Sequence, residues 1–79
     1  MNVKFLFFGA TADLVGTRHM EIHLTPRVTA NIAFDEIKKK FPKLNEHKLH
    51  FAVNEKYAIG DEILKDGDEL AIFTAVSGG

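Results

Sequence analysis

No cysteine occurs anywhere in the chain, which removes disulfides, thiolate metal sites and any thiol nucleophile of the protein's own. Sulfur chemistry, if it occurs here, must use imported sulfur. An excess of charge is also lacking: ten Lys and Arg stand against eleven Asp and Glu, for a formal net charge of -1. There is no net field to draw in nucleic acid or an anionic membrane, and neither is expected as a partner. No stretch approaches the ~18 consecutive apolar residues of a membrane span. The opening MNVKFLFFGA is hydrophobic, yet it has neither the basic start nor the small-residue cleavage site of a signal peptide. A soluble, cytoplasmic protein is the expectation.

What is present is ordinary globular composition, 46% hydrophobic and 27% charged over 79 residues, too apolar for a disordered segment. A chain of this size forms one domain and buries about 60 to 65% of the surface its unfolded form exposes. Residues Val3 to Phe8 form a β-rich run whose alternation puts Val3, Phe5 and Phe7 on one side and Lys4, Leu6 and Phe8 on the other. TADLV, residues 11–15, has the length of a turn or two of helix, with Thr11 as its N-cap and Gly16 just past its end. HMEIHL, residues 19–24, alternates as a half-buried strand.

After Pro26 the period changes. Ala30, Phe34, Ile37 and Phe41 share a helical stripe, with Asp35, Glu36 and Lys38 to Lys40 opposite. Thr29 or Asn31 caps this helix, its acids lie early and its lysines late, and Pro42 stops it. A polar loop, PKLNEHK, precedes a short hairpin of LHFAV and YAI around Asn54-Glu55. Asp66-Gly67 then turns the chain into a last strand, Glu69 to Thr74. One substantial helix over a mixed sheet makes a two-layer α+β domain. If the first and last strands are neighbours, Leu6, Phe8, Ala71 and Phe73 cluster on the sheet's open face, where grouped apolar side chains mark a partner surface unless the short helix folds back over them.

The other candidates are weaker. His19 and His23, four apart on a strand, are separated by about 13 Å, too far for one ion. His47 and His50 have no acidic or cysteine partner at ligand spacing, so no metal is expected and all four histidines are read as solvated. The lysine triplet is a solvated helix end. No nucleophile with a paired base and no phosphate-cradling loop is present.

The chain closes on FTAVSGG. Glycine makes up about 7% of average chains, so a terminal pair arises by chance in roughly one sequence in two hundred. Residues 75–79 form a tail beyond the domain of residues 1–74, spanning at most about 17 Å when extended. Two glycines can thread a narrow channel closed to residues with a Cβ. The carboxylate of Gly79 is the one reactive group of this end, a poor electrophile until joined to a nucleotide as an acyl-adenylate. A frayed end or cloning scar is the plain alternative.

Taken together, VKFLFFGATADLVG, FAVNEKY and LKDGDELAIFTAVSGG resemble the small subunits of molybdopterin synthase, a family of ubiquitin-like β-grasp sulfur carriers. The last two pieces are shared with thiazole-pathway carriers; the helix-bearing first piece resembles the molybdopterin branch. The resemblance implies a ubiquitin-like β-grasp fold and a cycle in which an E1-like adenylating enzyme uses ATP to activate Gly79. Sulfur is then installed as a thiocarboxylate and passed, in the large subunit's active site, to cyclic pyranopterin phosphate during molybdenum cofactor biosynthesis. It further implies no tightly bound cofactor, and a small subunit that is not an enzyme on its own within a heterotetrameric transferase. By position, Gly79 carries the sulfur, Gly78 threads the channel, and Phe73 and Val76 dock. Where such carriers commonly have Pro-Pro after the phenylalanine, this chain has Thr74-Ala75, leaving the tail's exit less stiff. Other implied roles are a thiazole-pathway or tRNA-thiolation carrier, or a ubiquitin-like protein modifier.

Overall fold

The computed structural model describes residues 1–74. Its first strand, β1 (Asn2–Phe7), buries Val3, Phe5 and Phe7, as the alternation demands, and ends one residue before Phe8. Gly9, at φ 58°, turns the chain into helix α1 (Ala10–Val15), which Gly16 closes at φ 91°. The closing glycine is the expected one, because only glycine takes the left-handed conformation without a Cβ clash. The start differs from expectation. Gly9 occupies the cap position, and Thr11 lies inside the helix, fully buried, its hydroxyl shared between the carbonyls of Phe8 (2.7 Å) and Ile72 (3.0 Å). The turn comes two residues early because Gly9 supplies the positive φ.

Strand β2 (His19–His23) half-buries Met20 and Ile22. Helix α2 (Ala30–Lys40) follows, with Thr29 rather than Asn31 as its cap: the Thr29 hydroxyl accepts from the N–H of Ile32 at 3.3 Å. Its buried stripe is Ala30, Ala33, Phe34 and Ile37. No acid stands in its first turn, contrary to the expected early acids. Asp35 and Glu36 sit mid-helix and pair with Lys38 (3.4 Å) and Lys39 (3.7 Å) one turn on. The lysines do fall in the last turn, where the macrodipole favours them. Pro42 ends α2 but begins a 3-10 helix, Pro42–Glu46, where a polar loop was expected. Leu44, fully buried, pins it to the core.

Strand β3 (Leu49–Val53) turns through Asn54 and Glu55, both at positive φ (48° and 71°), into β4 (Lys56–Tyr57). Such primed turns match the right-handed twist of a hairpin. β4 stops short of the expected Ile59, because the N–H groups of Ile59 and Gly60 turn to the Glu62 carboxylate (2.9 and 2.8 Å). Strand β5 (Glu69–Thr74) has the expected bounds.

The five strands lie in the order β2-β1-β5-β3-β4, with β1 and β5 parallel and the other pairs antiparallel. This is the mixed sheet of a β-grasp, with α2 across one face. Val3, Phe5, Phe7, Leu70 and Ile72 meet Ala33, Phe34 and Ile37 in a single core. The first and last strands are thus neighbours at the centre, and β5 is paired with β1 as far as Ile72 and with β3 as far as Thr74.

Candidate functional site

Side chains alternate across a strand, so burying Leu70 and Ile72 leaves Ala71 and Phe73 for the other face of β5. β1 does the same for Leu6, which pairs directly with Ala71. Phe8 lies just past β1, its N–H still bonded to the Ile72 carbonyl at 3.0 Å, and is 53% exposed. Leu6, Ala71 and Phe73, singled out from the sequence, therefore lie on the adjacent strands β1 and β5, with Phe8 just beyond the end of β1. The short helix does not cover them. Its Ala12, Leu14 and Val15 pack against the core instead, while Thr11 ties it to the ends of β1 and β5.

The register adds residues that the sequence reading left out. Ala71 pairs with Ala52 of β3, and Ala52 with Tyr57 of β4, while Leu6 pairs with His19 of β2. One row crosses the sheet: His19, Leu6, Ala71, Ala52, Tyr57. In the next row His50 pairs with Phe73 and stacks on it at 6.0 Å between ring centroids, and Tyr57 meets the same ring edge-on at 5.8 Å. Tyr57 is 79% exposed. His50 is exposed, as expected of a solvated histidine, but it forms part of an aromatic platform. The signal was available: Leu49, Phe51 and Val53 share the inner face of LHFAV, which sends His50 outward. What the sequence withheld was the β3-β5 register that sets it against Phe73.

Beside Phe8 a concavity of about 480 Å³ opens over β1, lined by Lys4, Leu6, Phe8, Ala12, Arg18 and His19 among others. Among the described residues the only carboxylates within 4.0 Å of a lysine or arginine are Asp35 and Glu36, so Arg18 is not neutralised by a contact partner. At the opposite end of the sheet the turns are fixed by polar side chains. Asn54 donates to Asp68 (3.0 Å) and accepts from the N–H of Glu69 (2.9 Å), and Asp66 accepts from the N–H of Asn2 (2.7 Å). These bonds set where β5 begins and hence the register that carries Phe73 to the exit. Val76, Gly78 and Gly79 lie outside the described residues.

The described groups offer an apolar, aromatic face and an anchored strand end, an arrangement for holding another protein. The comparisons with known proteins agree on the type of molecule. The ThiS family model matches residues 5–79. A molybdopterin synthase sulfur carrier subunit of Drosophila sechellia is 36% identical, with the match covering all of this chain and 92% of the relative. Among solved structures, a putative molybdopterin converting factor subunit 1 from Pyrococcus furiosus superposes with a TM-score of 0.89 at 31% identity, covering 96% of this chain and 99% of that one. SAMP1 from Haloferax volcanii superposes with a TM-score of 0.87 at 25% identity over the whole of both chains. These two superpositions identify the fold as the ubiquitin-like β-grasp.

Proposed function

Because the chain belongs to the ThiS family, we propose that it is the sulfur-carrier small subunit of a molybdopterin synthase, working through the carboxylate of Gly79. The full-length likeness to relatives bearing that name carries the reading. The family match runs through residue 79, and the central strand β5 delivers the chain to this tail from a firmly paired position.

In the proposed cycle a carboxylate oxygen of Gly79 attacks the α-phosphorus of ATP on an E1-like enzyme, and pyrophosphate leaves. Hydrosulfide from the sulfur donor then attacks the acyl carbon, AMP leaves, and loss of the S–H proton gives the thiocarboxylate. The large subunit receives the tail, with Gly78 in its narrow channel and Phe73, Phe8, Leu6, Ala71 and Val76 against its surface. The thiocarboxylate sulfur attacks a carbon of cyclic pyranopterin phosphate and displaces an oxygen leaving group there, and water then cleaves the acyl–sulfur bond, which leaves the sulfur on the acceptor and restores the Gly79 carboxylate. ATP belongs to the activating enzyme, and this chain contributes the carrier carbon and the docking face. Acid-base groups are supplied by the partner.

Intact-mass spectrometry tests this. Incubation with the activating enzyme, ATP and a sulfur donor should raise the mass by the difference between sulfur and oxygen, confined to the peptide ending in Gly79. An unchanged mass, with the same enzyme active on a control carrier, would overturn the reading. The likeness to SAMP1, one of the small archaeal modifier proteins, favours a second one, in which the activated glycine forms an isopeptide bond with a lysine. Gly-Gly remnants on lysines of digested cell protein would support it.

A further inference from the structure

At one edge of the sheet β4 contributes only Lys56 and Tyr57; at the other lies β2, running from His19 to His23. Hydrogen bonds along an antiparallel pair alternate from residue to residue. Those between β2 and β1 are fixed at both ends: the N–H of Phe7 bonds the Arg18 carbonyl and the N–H of Leu24 the Met1 carbonyl, both at 2.8 Å. Met20 and Ile22 therefore bond toward β1, and the N–H and C=O groups of His19, Glu21 and His23 point off the sheet. The His19 carbonyl is already taken, accepting from the Thr17 hydroxyl at 3.1 Å. Glu21 and His23 keep both groups on an edge that no described residue pairs. Met20 and Ile22 are only half-buried, and beside Ile22, between the strand and α2, a concavity of about 310 Å³ is lined by Ile22, Leu24, Glu36, Lys39 and Lys40.

We propose that this edge pairs with the same edge of a second copy of the chain, antiparallel and centred on Ile22. Three antiparallel registers match at least two of His19, Glu21 and His23 with one another, and two of these are disfavoured. Centred on Glu21, the pairing sets two carboxylates directly opposite, which is destabilising. Centred on Met20, it needs the His19 carbonyl that Thr17 occupies. Centred on Ile22, Glu21 of each copy exchanges both backbone bonds with His23 of the other. The Glu21 carboxylate then lies across from an imidazole whose Nδ1 is 3.0 Å from Asn2 Oδ1, and which as imidazolium donates to that carboxylate from Nε2. The other charged groups near His23 are the Met1 amine, bonded to the Leu24 carbonyl at 2.8 Å, Asp66, which holds the N–H of Asn2, and Lys4, the register partner of Glu21. On the inner face Ile22 meets Ile22 and Met20 meets Leu24, so the apolar row of each copy continues into the other beside the two concavities. Lys39 is paired with Glu36 at 3.7 Å, which leaves the exposed Lys40 as the charge of that rim, on a stem long enough to keep its ammonium in water. So short an edge offers less than the roughly 1,200 Å² of a stable interface, and the dimer is accordingly weak. Two-fold pairing of β2 sets the β5 strands of the two copies antiparallel, so their exits at Thr74 lie at opposite ends and Phe8 and Phe73 stay free on both. The inference does not depend on the carrier reading.

The test dilutes the isotopically labelled full chain from about 2 to about 0.02 mM, with amide shifts reporting the surface and sedimentation the mass. Signals of His19 to Leu24 and of Lys39 and Lys40 should move with concentration. Isotope-filtered NOEs between labelled and unlabelled copies should join Ile22 to Ile22 and Met20 to Leu24. His23→Glu sets carboxylate against carboxylate at both symmetric pairs and should weaken association about ten-fold. Mixing it with Glu21→Lys puts unlike charges back at both pairs and should restore association, with dilute amide spectra showing that each variant folds. Association should be tighter near about pH 6 than near about pH 8, because the imidazolium is the form that donates. The peptide RHMEIHLT should compete for the edge and TVTVTVTV should not; equal competition would make the edge a general acceptor of strands and overturn the second copy as its occupant. A monomeric mass at about 2 mM, shifts centred on Phe8 and Phe73, contacts joining Met20 to Met20, no recovery on mixing, or association no tighter at the lower pH would each overturn the proposal. None of these readouts involves sulfur transfer, so failure of the carrier reading would appear separately, in the intact-mass experiment.

Discussion

Thr11 shows how much one side chain can hold together. Its hydroxyl, fully buried, reaches the carbonyls of Phe8 and Ile72, and so joins the first turn of α1 to the ends of both central strands. Each carbonyl also accepts a backbone N–H, from Thr11 and Phe8 respectively, so removing the hydroxyl orphans neither. The loss is then that of the hydroxyl's own bonds, with valine filling nearly the same volume. Thr11→Val should lower the free energy of unfolding by about 1–2 kcal/mol, measured by urea denaturation, while Thr11→Ser, which retains the hydroxyl, should keep more of the α1 anchoring. If valine proves neutral, the hydroxyl is not what fixes α1.

Among the elements, the segment between β4 and β5 lies across the start of α2. The N–H of Ala30 bonds the Glu62 carbonyl (2.8 Å), that of Asn31 the Gly60 carbonyl (2.9 Å), and Thr29 bridges to Ile63. Gly60 sits at φ 113°, which disfavours any residue with a Cβ, and a Cβ there would have to push the Asn31 side-chain amide aside. Glu62 organises the bend, and backbone N–H groups, that of Ile59 foremost, then its own and that of Gly60, hold its carboxyl below its ordinary value. A lowered carboxyl pKa stabilises the fold above the unfolded-state value, and the contribution is lost as pH falls through the folded-state one. Wild type should therefore melt at a higher temperature than Glu62→Gln at pH 7, and the gap should narrow as acidification protonates the carboxyl and close once it is neutral. A gap that stays constant down to the acid limit of the folded state would mean that the glutamate's charge plays no part. This bend was not legible beforehand, because DEIL gives no sign that a glutamate will take two N–H groups behind it. The alternating strands, the helical stripe of Phe34 and Ile37, and the Asp66-Gly67 turn were legible, since each is written in local period or turn chemistry. Leu44 was missed for the opposite reason: one apolar residue in PKLNEHK becomes core only when the 3-10 helix presses it there. For the docking face, Leu6, Phe8, Ala71 and Phe73 followed from alternation plus one assumed strand pairing. His50 and Tyr57 needed the β3-β5 and β3-β4 registers, which depend on contacts distant in sequence.

At the scale of the whole molecule, the two faces of the sheet do different jobs. The inner face and α2 hold the core, including Ile72 at 0% exposure, and the open face is left with aromatic side chains that the fold does not bury. Neighbours on one strand can then be separated by their effects. Ile72→Ala empties a packed site and should cost about 2–5 kcal/mol of stability. Phe73→Ala removes only half-buried contacts with His50 and Tyr57, so it should cost roughly 1 kcal/mol of stability. As the proposed central anchor, the same truncation should weaken the complex with the large subunit by at least about 2 kcal/mol, some thirty-fold. Calorimetric titration of the two folded variants, alongside their urea midpoints, separates these effects. The expected pattern is crossed: the inner substitution reduces stability and leaves affinity per folded molecule intact, and the outer one does the reverse. If Phe73→Ala binds like wild type, the partner does not dock on this face, and the aromatic platform around His50 and Tyr57 needs another explanation.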